Sequence, residues 1–128
     1  MTDKLHLTCV VCPLSCGLEV TVSGTGAERR VASVVGSTCR RGADYAAAEV
    51  TCPKRTLTST VAINGASVAR LPVRTNSEIP RASIMVAMQE IARVAVKAPV
   101  KVGQVILTDI AGSGVDLVAS CDMPEAGA

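Results

Sequence analysis

Leu5, Leu7 and Cys9 alternate with polar neighbours at the start of the chain. That period-two pattern predicts a short strand leading into the cysteines that follow. Leu18, Val20 and Val22 alternate again, Ser23-Gly24-Thr25-Gly26 carries turn chemistry, and an apolar run returns over Val31 to Val35. Together these predict a β-hairpin. Good helix formers rich in alanine fill Arg41 to Val50, so a short helix is expected there, stopped by Pro53. From Leu57, the positions Leu57, Ser59, Val61 and Ile63 are again period-two. Asn64-Gly65 is the residue pair of a tight hairpin turn, and Val68 to Val73 is its expected partner strand.

Beyond Pro80 the period changes. Ile84, Met88 and Ile91 fall at i, i+4 and i+7, one apolar face of a helix over about 80–94. Val100 to Ile110 and Val115 to Ala119, joined by Ala111-Gly112-Ser113-Gly114, read as a last hairpin, and 122–128 as a frayed, flexible tail. The fold class is therefore α+β. It is a small, hairpin-rich arrangement with a cysteine-rich lobe over 1–53, an α+β lobe packed on it over 54–121, and one main helix.

Composition narrows the chemistry. The 128 residues are 48% hydrophobic, yet Tyr45 is the only aromatic residue. The core must be built from Val, Ala, Ile and Leu, which bury less area per residue than rings do. A covalent or metal staple is correspondingly more useful. Net charge is +2, from 13 basic and 11 acidic residues, which with so few stacking rings argues against nucleic acid. No apolar run approaches a membrane span. The opening residues carry no long apolar region of a signal peptide. With no export signal, six cysteines point to a metal site in a reducing cytoplasm rather than to a disulfide framework.

Four of those cysteines form the pattern C-x2-C-x3-C-x22-C: Cys9, Cys12, Cys16 and Cys39. Three thiolates from one tight loop can reach three neighbouring corners of a compact inorganic core, and a fourth must come from elsewhere in the chain. Soft thiolates select iron–sulfur clusters, zinc or copper(I). Pro13 removes a backbone N–H at the turn, and Gly17 allows close approach of the backbone to a cluster. Closing the chain from Cys16 to Cys39 costs about 2.7 kcal/mol, which a metal–thiolate bond exceeds.

The expected cofactor is thus one [4Fe–4S] cluster. The alternative is structural zinc, whose four-cysteine sites usually pair two C-x2-C knuckles. Here there is one knuckle, an extra Cys16 and a lone distant Cys39. Disulfides or free thiols are the third possibility. Cys52 and Cys121 read as non-ligands, with Cys52 the alternative fourth ligand, and His6 as a strand residue. Arg40 and Arg41 flank the fourth cysteine, where positive charge would favour the extra electron of a reduced cluster.

The run Cys9-Val10-Val11-Cys12-Pro13-Leu14-Ser15-Cys16-Gly17-Leu18, with Cys39-Arg40-Arg41-Gly42, resembles the N-terminal [4Fe–4S] domain of molybdopterin oxidoreductases. In that family Lys-Gly commonly stands where this chain has Arg41-Gly42. The resemblance implies cluster binding and electron transfer. It implies no molybdenum chemistry, because the chain lacks what holds a molybdopterin. Over most of its length the chain also resembles a family of small, cysteine-rich bacterial proteins of unknown function. The shared features are the cysteine loop, CRRG, PKRTLT, the helix after Pro80 and KAPVKVGQVI. Members of that family are often encoded beside flavin-dependent dehydrogenases of the glycerol-3-phosphate type.

These resemblances imply an electron-transfer subunit or accessory protein of a flavin-dependent oxidoreductase complex. A zinc-stapled module docking onto the same flavoprotein is the other reading. The single histidine leaves little for acid–base catalysis, so no turnover is expected from the chain alone. The expected partner is a flavin-dependent dehydrogenase subunit, with no nucleic acid and no direct membrane insertion.

Overall fold

A computed structural model describes residues 2–127. They form two compact units, one up to Pro53 and one from Lys54 on. Among the described residues the content is α+β, with two α-helices and ten strands in three sheets.

The first unit opens with β1 (Thr2–Thr8), β2 (Gly17–Ser23) and β3 (Arg30–Val35), an antiparallel meander in sequence order. The alternation in the sequence becomes the burial pattern of β2: Leu18, Val20 and Val22 point inward, with Glu19 and Thr21 on the other face. A 3-10 turn over Gly26–Glu28 connects β2 to β3. Next comes α1 (Arg40–Thr51), with Cys39 at its N-cap and Cys52 at its C-cap. Its inward stripe of Gly42, Ala46 and Val50 packs on Cys9, Leu18, Val20 and Val22. Small residues on the helix let it lie close to the sheet.

The second unit begins with β4 (Lys54–Arg55), paired to β7 (Ile79–Pro80). Its main sheet has five strands in the order β8-β5-β6-β10-β9. These are β5 (Thr58–Asn64), β6 (Arg70–Thr75), β8 (Ala95–Lys97), β9 (Val105–Leu107) and β10 (Leu117–Ala119). All neighbours are antiparallel except β5 and β8, which run parallel and are linked through α2 (Ile84–Ile91). Val61, Ile63, Leu71, Val73, Ile79, Ala87, Ile91, Ile110 and Leu117 form its core. Buried Thr75 is satisfied by Leu57, whose N–H donates to Oγ1 at 3.0 Å and whose carbonyl accepts from the Thr75 N–H at 2.9 Å.

Several boundaries differ from the sequence reading. The helix after Pro80 starts with a 3-10 turn over Arg81–Ser83 and is regular only across Ile84–Ile91, with buried Ala87 completing the face of Ile84, Met88 and Ile91. Asn64-Gly65 does not close a two-residue hairpin. Ala62 pairs with Arg70, so a longer loop joins the strands, and Asn64 pairs instead with Lys97 of β8. The strand β8 itself was not anticipated. Over 122–127, Met123 and Val100 exchange backbone hydrogen bonds of 2.8 and 2.9 Å, and Ala126 N–H donates to the Gly65 carbonyl at 2.7 Å; residue 128 of the expected tail lies outside the described residues.

Candidate metal centre

The cysteine loop is the connection between β1 and β2. Thr8 and Gly17 are the last pair of the ladder. One step further Cys9 N–H donates to the Cys16 carbonyl at 2.8 Å, so these two cysteines form the neck of the loop. Within it Ser15 N–H reaches the Cys12 carbonyl at 3.4 Å, and Ser15 takes a left-handed φ of 52°. A non-glycine residue there is uncommon and costly, and such residues cluster at functional sites.

The start of α1 faces this neck. Cys16 Sγ lies 3.3 Å from Thr38 Oγ1, beside Cys39. Gly42 sits in the first turn, where an added Cβ would lie 3.8 Å from Cys9 Sγ and 2.7 Å from Ser37 Oγ. The structure therefore brings the segments bearing Cys9, Cys16 and Cys39 together, and leaves Cys12 at the loop's tip. Cys52, at the far end of α1, stands roughly 18 Å along the helix axis from Cys39. Of the two, Cys39 is the one that adjoins Thr38, the residue in contact with Cys16.

Cys9 is buried, Cys12 and Cys16 are half-buried, and Cys39 is exposed. The Cys39 thiol is held below its ordinary pKa, first by the backbone N–H of Gly42, then by the Arg41 side chain and the Arg41 N–H. This is the expected result of a thiol at a helix N-terminus, where unsatisfied N–H groups favour the anion. Arg41 thus serves Cys39 directly. Arg40 is 92% exposed and stands 3.8 Å from Asp44, an exposed pair of little energetic weight.

Among the described residues, no three His, Cys, Asp or Glu side chains are grouped as a metal-ion site. Cys16 and Cys39 instead have the local partners just named. The donor set nevertheless fits a thiophilic centre in kind, since four thiols come from one loop and one adjoining helix start.

Gly17, Gly36 and Gly42 differ in what the chain itself places around them. A Cβ on Gly17 would meet nothing within 4 Å. The steric demand falls on Gly36, at φ 97° against the Gly17 backbone, and on Gly42, where a Cβ would meet Ser37 Oγ. Gly42 was read only as part of the Cys39-Arg40-Arg41-Gly42 motif, and Gly36 was not singled out, because its demand arises from contact with the distant Gly17 backbone. Val10 and Leu14, 72% and 74% exposed, give the loop an apolar outer surface, with Val11 and Val35 also exposed. His6 lies opposite Glu19 on β1 and β2, away from the cysteines.

No curated protein matches the chain. Among solved structures it is similar to the NMR structure of the Clostridium perfringens protein CPE0013, at 24% identity and a TM-score of 0.54. That likeness covers 59% of this chain and 89% of the other, and concerns the fold. A family model matches residues 40–121. The match takes in Arg40, Arg41, Gly42, PKRTLT, the helix after Pro80 and KAPVKVGQVI, whereas Cys9, Cys12, Cys16 and Cys39 precede it. That model describes a protein of unknown function (DUF1667), and this chain belongs to the family.

Proposed function

We propose that the chain is an iron–sulfur electron-transfer subunit or accessory protein of a flavin-dependent oxidoreductase complex. Cys9, Cys12, Cys16 and Cys39 are its ligands for one [4Fe–4S] cluster. The observation that carries this reading is the convergence of the loop neck, Cys9 and Cys16, on the start of α1 at Cys39. A cluster bound there would supply one-electron transfer.

The chain's own residues prepare for such a ligand. The buried Cys9 fixes one side of the loop to the core of the first unit. Gly42 keeps the space over its sulfur free of a side chain. The N–H groups of Arg41 and Gly42 and the Arg41 guanidinium place positive potential at Cys39. A partner is supported by the apolar surface of Val10, Val11 and Leu14, since exposed apolar patches mark interaction sites. That the partner is a flavoprotein rests on the family resemblance. Among the described residues no helix is long and apolar enough to cross a membrane. We place the protein in the cytoplasm, where thiols stay reduced.

The test is redox cycling of anaerobically purified protein. Broad absorbance near 400 nm should bleach with dithionite and return with a mild oxidant, and the reduced form should show an electron paramagnetic resonance signal. A colourless protein with one zinc would make the chain a structural docking module and end the electron-transfer reading.

A further inference from the structure

We infer that Cys9 and Cys16 are a reversible oxidation site, a dithiol that closes to a disulfide when the loop holds no metal. The reading rests on strand register and goes beyond cluster binding, so it stands whether or not the four cysteines take iron. The β1–β2 ladder ends at Thr8 opposite Gly17, and the next opposed pair is Cys9 and Cys16, joined by the 2.8 Å hydrogen bond from Cys9 N–H. Directly opposed residues project from the same face, with α-carbons about 4.5–5.5 Å apart across an antiparallel pair. A disulfide needs about 4.4–6.8 Å between α-carbons. Both side chains also belong to one apolar cluster: Cys9 is 4% exposed within it and Cys16 packs against it.

The other thiols are placed less well. Cys12 sits across the turn closed by Ser15 N–H, at the loop's tip. Cys39 stands at the N-cap of α1, outside the β1–β2 ladder. Cys16 is the more accessible member of the neck pair and Cys9 the buried one, which assigns the order of events. With hydrogen peroxide as oxidant, the Cys16 sulfur attacks one oxygen, the O–O bond breaks, and hydroxide leaves as Cys16 becomes a sulfenic acid. The Cys9 sulfur then attacks the Cys16 sulfur. The S–S bond forms, the S–O bond breaks, and the departing hydroxide takes the Cys9 proton as water. Two thiols and one peroxide give one disulfide and two waters, with two electrons passing to the peroxide. A small dithiol reverses the step by exchange. Closure would remove two of the four thiols from metal binding.

The sequence makes the linkage readable. No Lys or Arg lies between Lys4 and Arg29, so trypsin leaves Cys9, Cys12 and Cys16 on the peptide 5–29, while Cys39 falls on the peptide 31–40. The full chain, reduced and stripped with a chelator, is treated with hydrogen peroxide, alkylated, digested and analysed by mass spectrometry. The expected product is a peptide 5–29 lighter by two hydrogens, alkylated only at Cys12. Cys12→Ser should keep the linkage, and Cys16→Ser should abolish it. A bond joining peptides 5–29 and 31–40 would overturn the inference. So would an oxidised peptide alkylated at Cys9 or Cys16, or sulfinic acid at Cys16 with Cys9 still free.

Discussion

Gly42 lies directly over the buried Cys9 thiol, where a Cβ would stand 3.8 Å from Sγ and only 2.7 Å from Ser37 Oγ. The first turn of α1 thus lies within van der Waals reach of the Cys9 thiol, and the Ser37 side chain fills the space that a side chain at position 42 would need.

Gly42→Ala should therefore destabilise the protein although alanine is the better helix former. The propensity gain is about 1 kcal/mol, and overpacking costs about 1–3 kcal/mol. A net loss of roughly 1 kcal/mol is expected in urea unfolding. Adding Ser37→Ala, which removes the 2.7 Å contact, should recover much of it. No change in the single variant would mean that Ser37 yields its space to the added methyl without cost.

Cys39 should titrate early. With its thiolate favoured by the Gly42 N–H and then by Arg41, the alkylation rate of the metal-free chain at Cys39 should rise at a pH below the ordinary thiol value of about 8.5. Arg41→Gln should move that rise upward, short of the ordinary value, because the Gly42 N–H remains. In a denaturant the shift should vanish. A folded pKa below the unfolded one means that the associated stability is present above the ordinary thiol value and fades as pH falls through the lowered one. A Cys39 profile identical in folded and unfolded protein would contradict this placement.

In the second unit, Glu90 Oε2 accepts the Ala111 N–H at 2.6 Å, and Ala111 takes a left-handed φ of 52°. Glu90→Ala leaves that part-buried N–H without its acceptor and should cost about 1–3 kcal/mol. Ala111→Gly should stabilise by up to roughly 1 kcal/mol, since glycine adopts this conformation without strain. Thermal unfolding of the two variants should move in opposite directions.

What the sequence made legible follows from the kind of signal involved. Leu18, Val20 and Val22 are a period-two triplet on a strand with one buried face, and all three are buried. The alanine-rich segment after Cys39 is helical as read, because its small residues suit both helix propensity and close packing on β2. By contrast β8 has three residues, of which only Val96 packs against the core, so no periodicity announces it. Asn64-Gly65 has the residues of a tight turn, but pairing of Asn64 with Lys97 takes precedence over the local preference. At the candidate centre the spacing of the cysteines was readable and the direction of their thiols was not. Thr38 beside Cys16, and Gly42 over Cys9, depend on where a distant helix lands.

The most direct measurement is iron, sulfide and zinc analysis of the full chain purified without oxygen, beside its four single Cys→Ser variants at Cys9, Cys12, Cys16 and Cys39. About four irons and four sulfides per chain, reduced in each of the four variants and retained in Cys52→Ser, is the predicted result. Zinc in place of iron, or iron that survives loss of Cys39 and disappears with Cys52, would contradict it.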